Sequence, residues 1–210
     1  MDFEDDELYR DITGFAHGTP TWVQHTAEAW TEAGLLLFAA LFVTAWWRAR
    51  RDTPRAFATA ALAPVATALA YVCSELLKFG FTQERPCRAV AGATASLSAC
   101  PPPGDWSFPS NHATIAGAAA VALALTRPAL LRLTAPLALL MAFSRVFVGV
   151  HHPHDVVAGL VLGAAVAATV IRLGMRPAIG LTEAMRTSSA PVVRAFTGPG
   201  PERVPSYDSR

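Results

Sequence analysis

The sequence predicts an all-α fold, an integral membrane helical bundle of about five or six spans. Three observations lead there. More than half of the 210 residues are apolar, and the mean hydropathy is positive. Those apolar residues gather into stretches approaching the roughly 20 needed to cross a bilayer core. Finally, the basic residues cluster between alternate stretches rather than along the whole chain. A soluble bundle fails on surface area, because five helices apolar all round would leave too little polar surface to cover them.

The elements follow in order. Residues 1–30 form an acidic segment, with Asp2, Glu4, Asp5, Asp6, Glu7 and Asp11, that becomes mildly amphipathic through Trp22 and Trp30. No basic leader or small-residue cleavage site is present, so it reads as an interfacial helix rather than a signal peptide. The spans are predicted at 31–47, 57–77, 113–126, 129–143 and 156–171 within a membrane domain over 31–172. Pro64 and Pro136 fall inside two of them, where neighbouring helices can satisfy the freed backbone groups. Residues 173–210 turn to Pro, Ser, Gly and Arg and read as a cytoplasmic tail, disordered towards its end.

Orientation rests on arginine. Arg48, Arg50, Arg51 and Arg55 separate the first two spans, Arg127 and Arg132 the next pair, and a further series follows the last. With those connections cytoplasmic, residues 79–111 and 144–155 face outside. The near-neutral charge excludes a nucleic-acid partner. Cys87 and Cys100 share the long outer loop, where the sequence leaves a disulfide and two free thiols equally open. Cys73 lies within a span and reads as packing.

Three clusters at span ends carry the chemistry: Lys78 with Arg85-Pro86, then Pro109-Ser110-Asn111-His112, then Ser144-Arg145 followed by His151 and Asp155. A phosphate ester resists attack because its oxygens are negative and its leaving alkoxide is poor. A site without a metal or cofactor needs fixed cations, a nucleophile and a proton donor. Lys78, Arg85 and Arg145 can supply the charge. Ser110 and the N–H groups opening the next helix add donors. His112 can protonate the leaving oxygen, His151 can attack phosphorus, and Asp155 can fix its tautomer. Asp155 suits a helix-capping carboxylate just as well. The neighbouring His152 and His154 are expected to face elsewhere, at the interface. A structural protein has no reason to place every reactive cluster on one face.

The spacing Lys78-x6-Arg85-Pro86, Pro109-Ser110-Asn111-His112 and Ser144-Arg145-x5-His151-x3-Asp155 resembles the three-part signature of the type 2 phosphatidic acid phosphatase superfamily. That superfamily also contains the vanadium haloperoxidases. The resemblance implies their acid phosphatase/haloperoxidase-like fold and a metal-independent lipid phosphatase. It assigns His151 as nucleophile, Asp155 as its orienting partner and His112 as general acid, with Lys78, Arg85, Ser110 and Arg145 as phosphate ligands. Asn111 stands where the family usually has glycine; asparagine tolerates positive φ, and its amide could add a donor. The chain is also similar to bacterial undecaprenyl pyrophosphate phosphatases of the bacitracin-resistance type, which implies a polyprenyl diphosphate substrate. Phosphatidylglycerophosphate, phosphatidate, vanadate-dependent halide oxidation and non-catalytic phospholipid binding are the alternatives. A binder, however, would need the cations and have no use for a nucleophile with its carboxylate.

Overall fold

The computed structural model describes residues 3–201. The expectations that involve Asp2, Arg203 and Arg210, including disorder at the end of the tail, lie outside them. Among the described residues the secondary structure is helical, with no strand. An amphipathic helix α1 (Phe3–Gly18) leads into α2 (Thr21–Ala49) and α3 (Pro54–Gly80). A single turn α4 (Pro86–Ala89) and a long loop precede α5 (Asn111–Thr126). A 3-10 turn (Pro128–Leu130) joins it to α6 (Leu131–Phe147), and α7 (Pro153–Arg186) and α8 (Pro191–Thr197) complete the order.

Four of these segments have the length and hydropathy to cross a membrane: α2, α3, Pro128–Phe147 and α7. The shorter α5 is the hub, packed on by α3, α6 and α7. The bundle is a multi-pass membrane fold, and its surface agrees. Large apolar side chains such as Leu36, Leu76, Leu139, Val161 and Leu173 point outwards, where lipid rather than water would cover them.

The interior is built from small residues. Ala63, Ala66 and Ala70 of α3 meet Ala118 and Ala122 of α5 and Ala167 of α7 in one continuous seam. Lipid tails are as apolar as leucine, so helices in a bilayer gain little by hiding large side chains. They associate instead by close backbone approach across small ones. At Gly117, Gly159 and Gly163 the approach of α5 and α7 is closest. A Cβ on Gly163 would stand 2.0 Å from the Thr114 carbonyl oxygen, and one on Gly159 would stand 2.6 Å from that of Ser110.

Two helix boundaries differ from the sequence reading. The first crossing helix begins at Thr21 rather than at 31, without a break between an interfacial piece and the span. The last helix runs on past 171 to Arg186, through Pro177. Arg172 and Arg176 end the apolar stretch there, but charge does not end a helix.

Candidate active site

The three clusters converge at one end of the bundle. Lys78 closes α3, Arg85 leads into α4, Ser110 and His112 open α5, Arg145 ends α6, and Asp155 sits in the first turn of α7. Backbone hydrogen bonds lock them together. Ser110 N–H donates to the Asp155 carbonyl (3.1 Å), and Ser107 N–H to that of Gln83 (2.8 Å). Leu97 N–H donates to the Val148 carbonyl at 3.0 Å. Gly149, at φ 84°, makes the turn that brings the chain back from α6 to His151. The long loop is stapled at its base, because Cys87 and Cys100 are joined in a disulfide.

His151 lies at the centre, wholly buried. Its Nδ1 faces Asp155 Oδ2 at 3.4 Å and Ser107 Oγ at 3.4 Å. Ser107 also donates a short hydrogen bond to that Asp155 oxygen. On the other side Arg85 NH1 donates to His151 Nε2 at 3.0 Å and to the Val150 carbonyl at 3.1 Å. An Nε2 that accepts from a guanidinium carries a lone pair, so the ring proton belongs on Nδ1, towards the carboxylate. Burial pushes the imidazole pKa down to about 4; the Asp155 hydrogen bond opposes this, and the charge of Arg85 reinforces it. The ring is therefore neutral at physiological pH, with the Nε2 lone pair directed at Arg85.

Asp155 does both things that its sequence position allowed. Its Oδ2 accepts the His152 backbone N–H (2.9 Å), capping α7, while the same oxygen faces His151. Capping fixes the carboxylate and the carboxylate orients the ring.

Lys78 and Arg85 are buried, as are Ser110 and Arg145. Four polar atoms here have no hydrogen-bond partner: Ser110 Oγ, Arg145 Nε, His112 Nε2 and Asp155 Oδ1. Buried polar groups are normally paired, and orphaned ones mark a place prepared for something else. A phosphate group, with its several acceptor oxygens, matches cations, a hydroxyl and a helix N-terminus. Glu32 Oε1 lies 3.7 Å from His112 Nε2, beyond hydrogen-bond reach.

The sequence of this set is that of a known family. The PAP2 superfamily matches residues 59–177, more than half of the chain and all three clusters. The chain belongs to the PAP2 superfamily. Among its PAP2 relatives, an undecaprenyl-diphosphatase of Sulfolobus acidocaldarius is 43% identical over 96 residues, 45% of this chain and 45% of that protein. The chain thus spans less than half the length of that relative. A decaprenylphosphoryl-5-phosphoribose phosphatase of Mycobacterium tuberculosis is 36% identical over 141 residues, 67% of this chain and 72% of its own. In structure the chain is similar to LpxE of Aquifex aeolicus, with a TM-score of 0.62 at 22% identity over 79% of this chain and 93% of that one. By family the chain is a PAP2 protein, and its fold is that of a helical membrane protein of this kind.

Some site features depart from the sequence reading. His152 is buried rather than interfacial, with its Nε2 3.3 Å from Asp6 Oδ1. His154 Nδ1 meets Asp5 Oδ2 at 2.6 Å, so α1 is clasped onto the segment that follows His151. Asn111 needs no left-handed backbone, since no residue other than glycine has positive φ among the described residues. It is the first helical residue of α5. Its amide donates to Glu75 Oε1 at 2.6 Å and accepts from Ser74 Oγ at 2.7 Å. Glu75, Asp105 and Ser107 were missed outright. Single polar residues in a loop or on a lipid-facing helix carry no periodic signal, and only the fold brings them here.

Proposed function

We propose that this protein removes the terminal phosphate of a polyprenyl-linked phosphate or diphosphate, most simply undecaprenyl diphosphate to the monophosphate, at the extracytoplasmic face. The observation that carries the reading is the His151 ring, held between Asp155 and Arg85 with its lone pair towards the cations. Polyprenyl carriers are what the two curated relatives act on by name.

The chemistry follows from the geometry. Phosphate oxygens take the donors of Lys78, Arg85, Ser110 and Arg145, which offset the charge that builds up on them. His151 Nε2 attacks phosphorus, forming a P–N bond as the bond to the lipid-side oxygen breaks. Burial and the nearby cations hold His112 neutral in the empty site, so it takes up a proton as the negative phosphate arrives. It gives that proton to the leaving oxygen and then takes one from water. The water oxygen attacks phosphorus, the P–N bond breaks, and inorganic phosphate leaves with neutral His151 restored. Asp155 and Ser107 keep the Nδ1 proton in place and stabilise the charge the ring gains.

The test is phosphate release by purified protein in detergent with excess chelator. The panel holds undecaprenyl diphosphate, decaprenylphosphoryl-5-phosphoribose, phosphatidylglycerophosphate and phosphatidate, with a vanadate-plus-halide arm. Preference for a polyprenyl substrate is expected, and His151→Ala should cost at least about 10³-fold in kcat. Undiminished turnover in that variant would remove the phosphohistidine route. Preference for a glycerolipid would move the substrate class.

A further inference from the structure

The phosphate cations already hold an anion, and it belongs to the protein. Asp105 Oδ1 sits 2.9 Å from Arg85 NH2 and 3.7 Å from Lys78 Nζ. The other terminal nitrogen of that guanidinium binds His151 Nε2 at 3.0 Å. One planar fork thus carries the nucleophile on one prong and a carboxylate on the other. A phosphate whose phosphorus lies next to His151 Nε2 must place an oxygen on the second prong. That position is where Asp105 now lies.

Placement of Arg85 does not depend on this carboxylate. The Asp105 backbone carbonyl accepts from Arg85 Nε at 2.9 Å, and the Val150 carbonyl accepts from NH1 at 3.1 Å. The Asp105 side chain is 42% exposed, at the mouth of the site, while the cations beneath it are buried. It can therefore leave by rotating about χ1 without the loop moving. Its charge is secure: burial alone would raise its pKa, but the hydrogen bond and charge of Arg85, with Lys78 and His151, hold it below the usual carboxylate range.

We propose that Asp105 is an internal competitor for the phosphate seat. It neutralises Arg85 in the empty site, while Glu75 Oε1 pairs with Lys78 Nζ at 3.1 Å. It yields to the phosphate of a lipid substrate, and by returning displaces inorganic phosphate after turnover. A lipid substrate adds the binding of its apolar tail to that of its head, whereas free phosphate has only its charge. The competitor weakens both by the same factor, but the substrate keeps the binding of its tail while free phosphate is left with little. The inference rests on the phosphatase reading but is read out without it.

The experiment is calorimetric titration of purified protein in detergent with inorganic phosphate, alongside steady-state kinetics. Asp105→Asn, nearly isosteric, should bind phosphate about tenfold more tightly, as for a seat closed about nine-tenths of the time. Its KM and its product-inhibition constant should fall together, with kcat lower as phosphate release slows. Asp105→Glu, which keeps the charge, should stay weak. Unchanged or weaker phosphate binding in Asp105→Asn, with the wild-type melting temperature retained, would overturn the proposal and leave Asp105 a scaffold for Arg85. Tighter phosphate binding with no lipid hydrolysed by either protein would sustain the competitor and sink the phosphatase reading instead.

Discussion

The two regions that build the site do so by opposite means. The α5–α7 joint positions His112 and Asp155 by backbone contact, with glycines removing even a methyl group between the helices. The long loop between α4 and α5 delivers Asp105 and Ser107 by hydrogen bonds and one staple: Ser107 to Gln83, Leu97 to Val148, Cys87 to Cys100. The joint has no slack, because a packed interior cannot yield without shifting its backbone. The loop is held at points and its side chains can turn between them. Residues whose geometry must not vary stand on the joint, and residues that adjust or exchange partners stand on the loop.

The largest expected effect comes from breaking the joint. Gly163→Leu must push α7 away from the Thr114 carbonyl and separate the two catalytic helix starts. Overpacking of this kind costs about 3 kcal/mol, so the variant should show a markedly lowered melting temperature and almost no turnover. Full activity at normal stability would show that the two helix starts are not positioned by the joint. Next comes the carboxylate that the joint supports. Asp155→Asn keeps an amide oxygen that can still accept the His152 backbone N–H at the start of α7, but it cannot stabilise a charged ring. The expectation is a loss of about 10²-fold or more in kcat with an unchanged melting temperature. On the loop the effect shrinks: Ser107→Ala removes one hydrogen bond of about 1 kcal/mol and should cost about fivefold in kcat. A loss as deep as that of Asp155→Asn would promote the loop to equal rank.

The smallest effect is set by pH. The His151 pKa is depressed to about 4 in the folded protein, while an unfolded imidazole titrates near 6.5. Between these values the unfolded chain binds a proton that the folded site refuses. Stability contributed by this residue is therefore complete above about 6.5 and is lost as pH falls towards 4. The acid limb of kcat/KM that belongs to the nucleophile should lie near 4, not near 6.5. A limb at 6.5 would mean that the buried ring is more hydrated than its surroundings imply.

How much of this was legible in the sequence depends on the kind of signal each part carries. Lys78, Arg85, His112, Arg145, His151 and Asp155 were readable because motif spacing survives any detail of packing. The crossing helices were readable because hydropathy is summed over many residues. The start of α2 was not, since only Thr31, Gly34, Phe38 and Ala49 of that helix are buried and the stretch before 31 is polar. Nor was the glycine joint, because glycine in an apolar helix reads as composition until the partner backbone is seen. Asn111 looked like a departure from a glycine position. The fold shows instead an ordinary helical residue whose amide ties α5 to Glu75 of α3.

The placement of that joint also bears on how the protein lives in its bilayer. The lipid-facing helix α2 touches the interior at few places, whereas α5 is sheathed by its neighbours and meets α7 without intervening side chains. When hydrocarbon thickness changes, helices answer by tilting. Here α2 can tilt at small cost while α5 and α7 move as one body. The spacing between His112 and His151 is then insulated from membrane thickness, and under the proposed function rate should respond to lipid chain length through access of the substrate rather than through the chemistry.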